Sequence, residues 1–406
     1  MTSAGSAGST PGSEVASRAA PEAPPASSRI FAVLTGGGTA GHVQPALAIA
    51  EALVAGGHDK ASVHFVGSKR GMEGFLVPEA GFSLDRLPGR GIERRLVLSN
   101  LGALGGLALA SLRAWAVLRR ARPEVVISLG GYAGLPASLA ALLLRIPLVV
   151  VTIDAVPGAA NRLVGTFAAV NATAFEGSGL RRAEVTGCPL RAGALAADRS
   201  DTGRASARRL VGLEDGRRVV LVTGGSLGAR RLNTATIELA RLWRERSDVT
   251  IYHVAGERDL AEVAEAARTA GLGPSAGRAV LDYRLVGFER RLFLALSTCD
   301  LTVARAGAST VAELSVMGVP SVLVPLPGAP RDHQARNAAV LSSKGAALTL
   351  LDAECDGPRL AELIDGLLAS PQRLEEMEAS ARSLGRAGAS ERIAVLAESA
   401  AKRRRG

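Results

Sequence analysis

The chain has 406 residues, a formal net charge of +10 and a hydrophobic content of 47%. This length allows two domains with their own cores, at about 100–200 residues per domain. Aromatic residues make up only 3% of the chain, which argues against nucleic-acid binding by base stacking, because that mode needs aromatic platforms. The basic charge indicates either attraction to anionic lipid headgroups and phosphate-bearing substrates, or a solvated basic surface.

The cysteines and the chain ends limit the class of protein further. Cys188, Cys299 and Cys355 are an odd number without metal-ligand spacing, so we expect reduced thiols in a cytosolic protein and no metal site. Residues 1–28 have no apolar core long enough for a signal peptide, and their composition predicts a disordered tail. The final residues, AKRRRG, are a short basic tag or a frayed helix end.

From residue 29 the sequence alternates short apolar runs with helix-like segments. This alternation is typical of parallel sheets wrapped by helices, and it predicts the α/β class with two doubly wound, Rossmann-like domains that face one cleft. Strands are predicted at 30–35, 62–67, 124–130, 147–154, 218–224, 249–256, 300–307 and 320–326.

Two glycine-rich loops, at 35–50 and 223–233, each follow a predicted strand and lead into a helix-like run. Glycine permits close approach of the backbone, and the N-terminus of the following helix presents free N–H groups to an anion. The pair of loops therefore predicts two phosphate-type sites in one cleft. A plain tight turn is the alternative for either loop taken alone.

The segment 96–117 has a continuous apolar part of about 12 residues, short of the roughly 20 needed to cross a bilayer. Arginines flank it on both sides, which favours a helix that lies in a membrane interface. The alternative is a buried crossover helix. The flanking residues are Arg90, Arg94, Arg95, Arg113, Arg119, Arg120 and Arg122.

Nine motifs in this sequence occur in the order of one known family. They are GGGTAGHVQPALA (36–48), LGGYAGLPA (129–137), AVPGAANRL (155–163), GCPLR (187–191), GGSLGARRLN (224–233), VGF (286–288), RAGASTVAEL (305–314), GVPSVLVPLP (318–327) and DHQARNAAVL (332–341). Taken together, they resemble the MurG family, bacterial transferases that add N-acetylglucosamine to the lipid-linked muramyl-pentapeptide precursor of peptidoglycan. The resemblance covers about residues 30–350.

The resemblance implies a GT-B architecture and an inverting, metal-independent transfer without a cofactor at the cytoplasmic face of the cell membrane. The implied partners are UDP-N-acetylglucosamine, an undecaprenyl-diphosphate-linked acceptor and an anionic membrane surface, and no nucleic acid. The expected organisation is a disordered tail (1–28), an N-terminal acceptor and membrane-associating domain (29–192), a linker with the start of the second domain (193–217), a C-terminal UDP-sugar-binding domain (218–385) and a C-terminal helix with a basic end (386–406).

The resemblance also implies a set of donor-binding residues. Ser226 assists departure of the diphosphate, Glu313 accepts hydrogen bonds from both ribose hydroxyls, and Phe288 lies in the turn that holds the uracil. Gln334 and Asn337 are three residues apart on a predicted helix and read sugar hydroxyls. The full implied set is Thr39, Ala40, Gly41, Asp154, Arg191, Ser226, Gly228, Ala229, Phe288, Ala308, Ser309, Thr310, Glu313, Gln334 and Asn337.

The acceptor side of the implied site contains the candidate catalytic residues, His42 and Asp154. An imidazole has an ordinary pKa near neutrality, so His42 suits a general base or a phosphate contact. Asp154 offers a carboxylate that shares or replaces this role. The implied acceptor-binding residues are Gly38, His42, Gly130, Gly131 and Tyr132.

One segment departs from the family pattern, which has His-Glu-x-Asn immediately before the AVPG turn. This chain has Val151, Thr152, Ile153 and Asp154 there, so an imidazole and a carboxylate are missing and an anion stands in place of an amide. The donor side of the family pattern is therefore largely retained, whereas its acceptor side has changed. The alternatives are a MurG-like transferase for a different lipid or secondary-metabolite acceptor, and a catalytically silent UDP-sugar-binding protein.

Overall fold

The computed structural model describes residues 29–37, 40–69, 71–88, 99–225, 228–275 and 280–405. Within these residues the chain forms two α/β domains, each built on a parallel sheet with helices on its faces. The predicted fold class is therefore confirmed. The predicted tail, 1–28, lies outside the described residues.

The first domain is built on a sheet with the order β3-β2-β1-β4-β5-β6-β7, in which all neighbouring strands of the described chain pair in parallel. Its central strands are short apolar runs that are buried on both faces, as parallel sheets require. The strands are β1 (Ala32–Thr35), β2 (Val63–Ser68), β3 (Ser83–Leu87), β4 (Val125–Ser128), β5 (Leu148–Thr152), β6 (Val170–Thr173) and β7 (Ala183–Val185).

The second domain repeats this plan with the order β10-β9-β8-β11-β12-β13, again with parallel pairing between neighbours of the described chain. The strands are β8 (Arg218–Thr223), β9 (Val249–Val254), β10 (Asp282–Val286), β11 (Leu301–Ala304), β12 (Ser321–Leu323) and β13 (Ala347–Thr349). In each sheet the first strand lies beside the fourth, so the strand order reverses there. Ligands of open α/β sheets bind at the carboxyl ends of the strands at such a switch point.

The helices cover both faces of the two sheets. In the first domain they are α1 (Ala40–Ala55), α2 (Glu73–Glu79), α3 (Ser99–Ala121), α4 (Gly131–Leu143) and α5 (Ala159–Gly165). They are followed by α6 (Ala192–Leu195), α7 (Asp201–Val211), α8 (Arg230–Leu242), α9 (Leu260–Thr269), α10 (Leu292–Thr298), α11 (Ala308–Met317), α12 (His333–Ser342), α13 (Gly357–Leu368), α14 (Pro371–Leu384) and α15 (Ala389–Arg405).

The last helix, α15, returns to the first domain and packs against α1 and the first sheet. Ile393, Ala397 and Ala401 are buried in the core of that domain. The Arg404 guanidinium donates a hydrogen bond to the Pro123 carbonyl at 3.2 Å. The basic C-terminal end therefore continues a helix that completes the first domain, and the frayed-end interpretation does not hold for residues up to 405.

The arginine-flanked apolar segment forms most of α3, which packs against α4 and β3. Ala110, Ala114 and Leu118 are buried on one side of the helix, whereas Leu109 and Leu112 are 46% and 66% exposed on the other. The helix therefore has a core-facing side and a second apolar side that the described chain leaves uncovered. In the described ranges no helix has the length and apolar character that crossing a membrane requires.

Each predicted strand overlaps a strand of the structure, and the strands that the sequence did not predict lack a clear apolar run for one of two reasons. β3, β7, β10 and β13 lie at sheet edges, where one side of the strand has no neighbour among the described residues and the apolar run is short or interrupted. β6 lies inside the sheet but contains Asn171, whose amide donates to the carbonyls of Gly165 and Arg181. A buried polar residue with these partners breaks the apolar pattern without breaking the strand.

Candidate active site in the interdomain cleft

The carboxyl ends of β1, β4 and β5 face α11 and α12 of the second domain, and hydrogen bonds join the two sides. Asn337 on α12 donates through Nδ2 to Asp154 Oδ1 at 3.0 Å, and its Oδ1 accepts the backbone N–H of Ala155 at 2.8 Å. Ser309 on α11 donates to the Gly41 carbonyl at 3.4 Å. The structure thus brings residues from both predicted sides of the site into one cleft.

The loops that follow β1 and β4 touch at a contact that only glycine fits. Gly131 has φ +75°, and a Cβ on it would lie 2.7 Å from the carbonyl oxygen of Gly37. At Gly130 a Cβ would lie 2.6 Å from Asn161 Oδ1. The Asn161 amide donates to the Val151 carbonyl, which fixes the end of β5 where the Asp154 loop begins.

His42 lies in the first turn of α1, at the amino end of the helix that follows the first glycine loop. Burial lowers the pKa of its imidazole, and the neighbouring Asp154 carboxylate opposes this shift. His333 lowers the same pKa further and Glu73 raises it. The two predicted catalytic residues therefore interact, and the net direction favours a neutral imidazole that can accept a proton.

Glu313 on α11 is half-buried, and burial raises the pKa of its carboxyl group to about 7. The buried Cys188 lies near Ser309, Glu313 and Asp154, and burial raises the pKa of its thiol far above the ordinary value. The turn containing Cys188 thus fills the space between α11 and the Asp154 loop as a neutral, unreactive thiol.

The second glycine loop has a close backbone contact of its own. Gly228 has φ +73°, and a Cβ there would lie 2.5 Å from the Ala255 carbonyl oxygen. The same carbonyl accepts a hydrogen bond from Asn233, whose Oδ1 contacts the buried His253 ring at 3.0 Å. This network fixes the loop against β9, and α8 begins directly after the loop at Arg230, so the N–H groups of its first turn lie at the end of the loop.

Known proteins match both domains of this chain. Residues 32–173 match the glycosyltransferase family 28 N-terminal domain, and residues 219–393 match the glycosyltransferase family 28 C-terminal domain. The chain belongs to glycosyltransferase family 28. The resemblance to the MurG family is confirmed by curated relatives at 36–37% identity and by a MurG crystal structure.

Curated relatives and solved structures add detail to the family 28 assignment. The UDP-N-acetylglucosamine–N-acetylmuramyl-(pentapeptide) pyrophosphoryl-undecaprenol N-acetylglucosamine transferase of Moorella thermoacetica is 37% identical over 89% of this chain and 96% of the relative. The transferase of the same name from Anaeromyxobacter dehalogenans is 36% identical over 92% of this chain and 94% of that relative. The MurG crystal structure from Acinetobacter baumannii has a TM-score of 0.71 at 27% identity and covers 91% of this chain and 99% of that one. A UDP-GlcNAc 2-epimerase from Neisseria meningitidis shares the fold, with a TM-score of 0.62 at 15% identity. The match covers 90% of this chain and 100% of the epimerase chain.

Two predicted donor residues of this family 28 chain, Gln334 and Asn337, lie on α12 at the cleft. Gln334 accepts the backbone N–H of Leu326 at 2.9 Å through Oε1. Asn337 is fully buried, and its amide bonds to Asp154, Ala155 and the Ala306 carbonyl. Its sugar-reading role therefore stays a prediction, because the described contacts of this amide are with protein.

The remaining predicted residues are placed as follows. Arg191 pairs with Glu51 of α1, with Nη2 and Oε1 2.6 Å apart, so its guanidinium lies against the first domain. Phe288 is 41% exposed beyond the end of β10, where its ring is open to a ligand. Ala229 and Ala308 are buried at the starts of α8 and α11, and Thr310 is half-buried. The predicted residues outside the described residues, or on a helix with an undescribed side chain, are Gly38, Thr39, Ser226, Ala40 and Tyr132.

Sequence reasoning assigned no role to two residues that the structure places beside His42. His333 begins α12, one turn before Asn337, and its Nδ1 contacts the Pro330 carbonyl at 2.9 Å. Glu73 is buried, and its Oε1 accepts hydrogen bonds from the Ser68 backbone and hydroxyl at 2.7 Å. The available signal for His333 was its i, i+4 spacing from Asn337, which puts both on one face of a helix.

Proposed function

We propose that this chain transfers N-acetylglucosamine from UDP-N-acetylglucosamine to undecaprenyl-diphosphate-linked muramyl-pentapeptide, the reaction that the names of its curated relatives describe. The observation that carries the proposal is the pairing of Asp154 with Asn337 across the cleft, which puts His42 opposite the helices of Glu313 and Gln334. An inverting glycosyl transfer needs this arrangement, because the acceptor with its base and the departing diphosphate must lie on opposite sides of the anomeric carbon.

The acceptor hydroxyl is activated by His42 in this mechanism. The neutral imidazole takes the hydroxyl proton as the oxygen attacks the anomeric carbon, and the carbon–oxygen bond to UDP breaks on the opposite side. The Asp154 carboxylate stabilises the imidazolium that forms, as a carboxylate does for a catalytic histidine in other enzymes. Asn337 keeps that carboxylate in place through its amide.

The donor is held by the second domain, residues 218–385. We propose that the Ser226 hydroxyl and the N–H groups from Gly225 to Ala229 stabilise the departing diphosphate at the start of α8. Glu313 accepts hydrogen bonds from the two ribose hydroxyls, because an ionised carboxylate has two acceptor oxygens. Phe288 lies where a uracil ring packs.

The first domain, residues 29–192, holds the acceptor in this proposal and positions the protein at a membrane. Leu109 and Leu112 form the exposed apolar side of α3, and Arg113 and Arg119 are exposed beside them. Such a helix lies in the interface with its apolar side among lipid chains and its arginines at anionic headgroups. The protein would thus act peripherally, at the cytoplasmic face of the cell membrane.

The deciding experiment measures UDP release by the purified full-length protein with UDP-N-acetylglucosamine, with and without detergent-solubilised lipid-linked muramyl-pentapeptide. We expect acceptor-dependent release and a lipid product heavier by one N-acetylhexosamine. His42→Gln should lower kcat by about a hundredfold or more if the imidazole is the base. Intact UDP-sugar binding without release for this acceptor would contradict the proposal.

A second candidate is a family 28 transferase with a different lipid or secondary-metabolite acceptor. It is favoured by Val151 and Thr152, which are buried in β5 where the family pattern has a histidine and a glutamate. These side chains belong to the sheet core and cannot contact an acceptor. A panel of polyprenyl-diphosphate sugars and non-lipid hydroxyl acceptors, assayed by the same UDP release, separates the two candidates.

A further inference from the structure

A cavity of about 480 Å³ opens between the two domains next to the Asp154 loop. One wall is the loop 155–157 after β5, and another is the loop 176–178 after β6. Arg162 of α5 contributes from the first domain, and Arg331 and Arg336 contribute from the second. This volume falls within the range of roughly 300–1,000 Å³ that is typical of small-molecule sites.

The lining of this cavity contains three arginines and one carboxylate. Among the residues that the structure describes, no carboxylate lies within 4 Å of the guanidinium of Arg162, Arg331 or Arg336. By contrast, Arg191 pairs with Glu51 of α1. Three neighbouring cations without a carboxylate partner attract an anion, and arginine forks bind carboxylates through paired hydrogen bonds.

One acid, Glu176, also lines the cavity and has the opposite effect on an anionic ligand. Its side chain is 84% exposed and lies 3.9 Å from the Arg386 guanidinium, which weakens its field in the cavity. The lining therefore keeps a net positive charge, and Glu176 offers a variant that makes it more positive.

The strand order gives the position of this cavity relative to the membrane-facing helix. α3 packs beside β3 at one edge of the first sheet, His42 follows β1 near the centre, and the cavity lies beyond β5 and β6 toward the other edge. An acceptor whose lipid lies at α3 and whose sugar lies at His42 would extend its remaining substituent toward the cavity.

We propose that this cavity binds the peptide arm of the acceptor through its carboxylate groups. The inference rests on the proposed function, in which the acceptor is a muramyl-pentapeptide. A peptide joined to the sugar through its amino end has a free carboxylate at its other end, and this chemistry matches Arg162, Arg331 and Arg336. The cavity thus distinguishes acceptors that have the peptide from those that lack it.

The test compares two lipid-linked muramyl acceptors, one with the pentapeptide and one without it. The double variant Arg162→Gln/Arg336→Gln removes two cations from exposed positions, so the fold should persist, and its Tm is measured as a check. We expect its KM for the pentapeptide acceptor to rise roughly tenfold or more, while the KM values for the peptide-free acceptor and for UDP-N-acetylglucosamine stay unchanged. Glu176→Gln should lower the KM for the pentapeptide acceptor, and Arg373→Gln, an exposed arginine of α14, is the matched control.

The outcomes separate the inference from the proposed function. No turnover of either acceptor by the unmodified protein contradicts the proposed function, whereas turnover with equal KM changes for both acceptors contradicts only the inference. Titration calorimetry with soluble muramyl-pentapeptide decides the inference without turnover, because the double variant must bind it at least about tenfold more weakly. Inorganic phosphate is also tested as an inhibitor. If the double substitution abolishes this inhibition but leaves the KM for the pentapeptide acceptor unchanged, the cavity is a site for free anions and the inference is overturned.

Discussion

Asp154 differs by one negative charge from the asparagine of the family pattern. Replacing it with asparagine removes this charge but keeps an oxygen that can accept the hydrogen bond from Asn337. The Asn337 amide donates to Asp154 Oδ1, and the side-chain oxygen of an asparagine accepts the same hydrogen bond. Asp154 raises the pKa of His42 against the effect of burial. Its carboxylate therefore acts on the histidine through charge, whereas the contact with Asn337 needs only an acceptor oxygen.

Asp154→Asn should lower kcat by about ten- to a hundredfold, because the imidazolium loses its stabilising carboxylate. The His42 pKa should fall, so the acid limb of the kcat profile should move to lower pH, since the active form is the neutral imidazole. Steady-state kinetics from pH 5 to pH 9 measure both effects. Higher activity of the variant on the pentapeptide acceptor would exclude a role of Asp154 in proton transfer.

Glu313 has a pKa of about 7 in the ligand-free protein because burial disfavours its charged form. The ionised carboxylate is the better acceptor for ribose hydroxyls, so UDP affinity should fall by up to about tenfold per pH unit below that pKa. Calorimetric titration with UDP between pH 5.5 and pH 8.5 measures this slope. Glu313→Gln should remove the part of the slope that this carboxylate causes, while Glu375→Gln at an exposed position of α14 should retain the full slope.

UDP titrates in the same pH range, and the comparison between these variants accounts for this. The phosphate of UDP contributes equally to all three proteins, so only the difference between their slopes reports on Glu313. Equal slopes for Glu313→Gln and the unmodified protein would mean that this carboxylate does not contact the ribose.

At the scale of elements, the sequence predicted the central strands and both glycine loops but missed strands that lack an apolar run. β3 has the sequence SLDRL and β10 has DYRLV, so their polar residues obscure the pattern that identifies buried strands. The residues at the cleft show the same limit. His42, Asp154 and Asn337 follow from motifs, whereas the place of His333 beside His42 depends on how the domains face each other, which no local pattern encodes.

The exposed apolar side of α3 leads to a prediction about membrane binding. Leu109→Gln/Leu112→Gln removes two exposed leucines without changing the buried side of the helix. Binding to vesicles that contain anionic lipid should weaken roughly tenfold or more, since burial of one leucine side chain contributes about 1.5–3 kcal/mol. Vesicle co-sedimentation measures this binding.

The matched control is Leu210→Gln on α7, where the leucine is similarly exposed. This control should bind vesicles like the unmodified protein. Activity on detergent-solubilised acceptor should stay the same in the α3 variant, because α3 lies away from the residues that contact the reacting sugars in the proposed site. Unchanged vesicle binding would indicate that α3 covers no membrane surface.

At the scale of the whole molecule, the two domains are joined by the packing of α15 and by hydrogen bonds at the cleft. α15 starts after the second domain and completes the core of the first, so the chain passes between the domains twice. At the cleft, Asn337 supplies both a donor and an acceptor to the Asp154 loop. The α15 connection is buried and apolar, whereas the cleft contact is a small set of hydrogen bonds that substrate binding can exchange.

The hydrogen bond between Asn337 and Asp154 can therefore be tested by changing the charge of its two side chains. Asn337→Asp would place a second carboxylate against Asp154, and like charges about 4 Å apart repel by about 4 kcal/mol at an effective dielectric constant of about 20. We expect the variant to open the cleft at pH 8, which small-angle X-ray scattering would detect as a larger radius of gyration. An unchanged radius would mean that other contacts keep the domains closed.

The exchanged pair, Asp154→Asn/Asn337→Asp, restores one amide and one carboxylate at the same contact. The amide introduced at position 154 can then donate to the carboxylate introduced at position 337, so the radius of gyration should return to that of the unmodified protein. The kcat should nevertheless stay as low as in Asp154→Asn alone, because the negative charge has moved from the loop beside His42 to α12. The exchanged pair would therefore separate the two roles. Asn337 acts only in closure of the cleft, whereas Asp154 acts in closure and in proton transfer. Full recovery of kcat in the exchanged pair would show instead that domain closure alone accounts for the effect of Asp154.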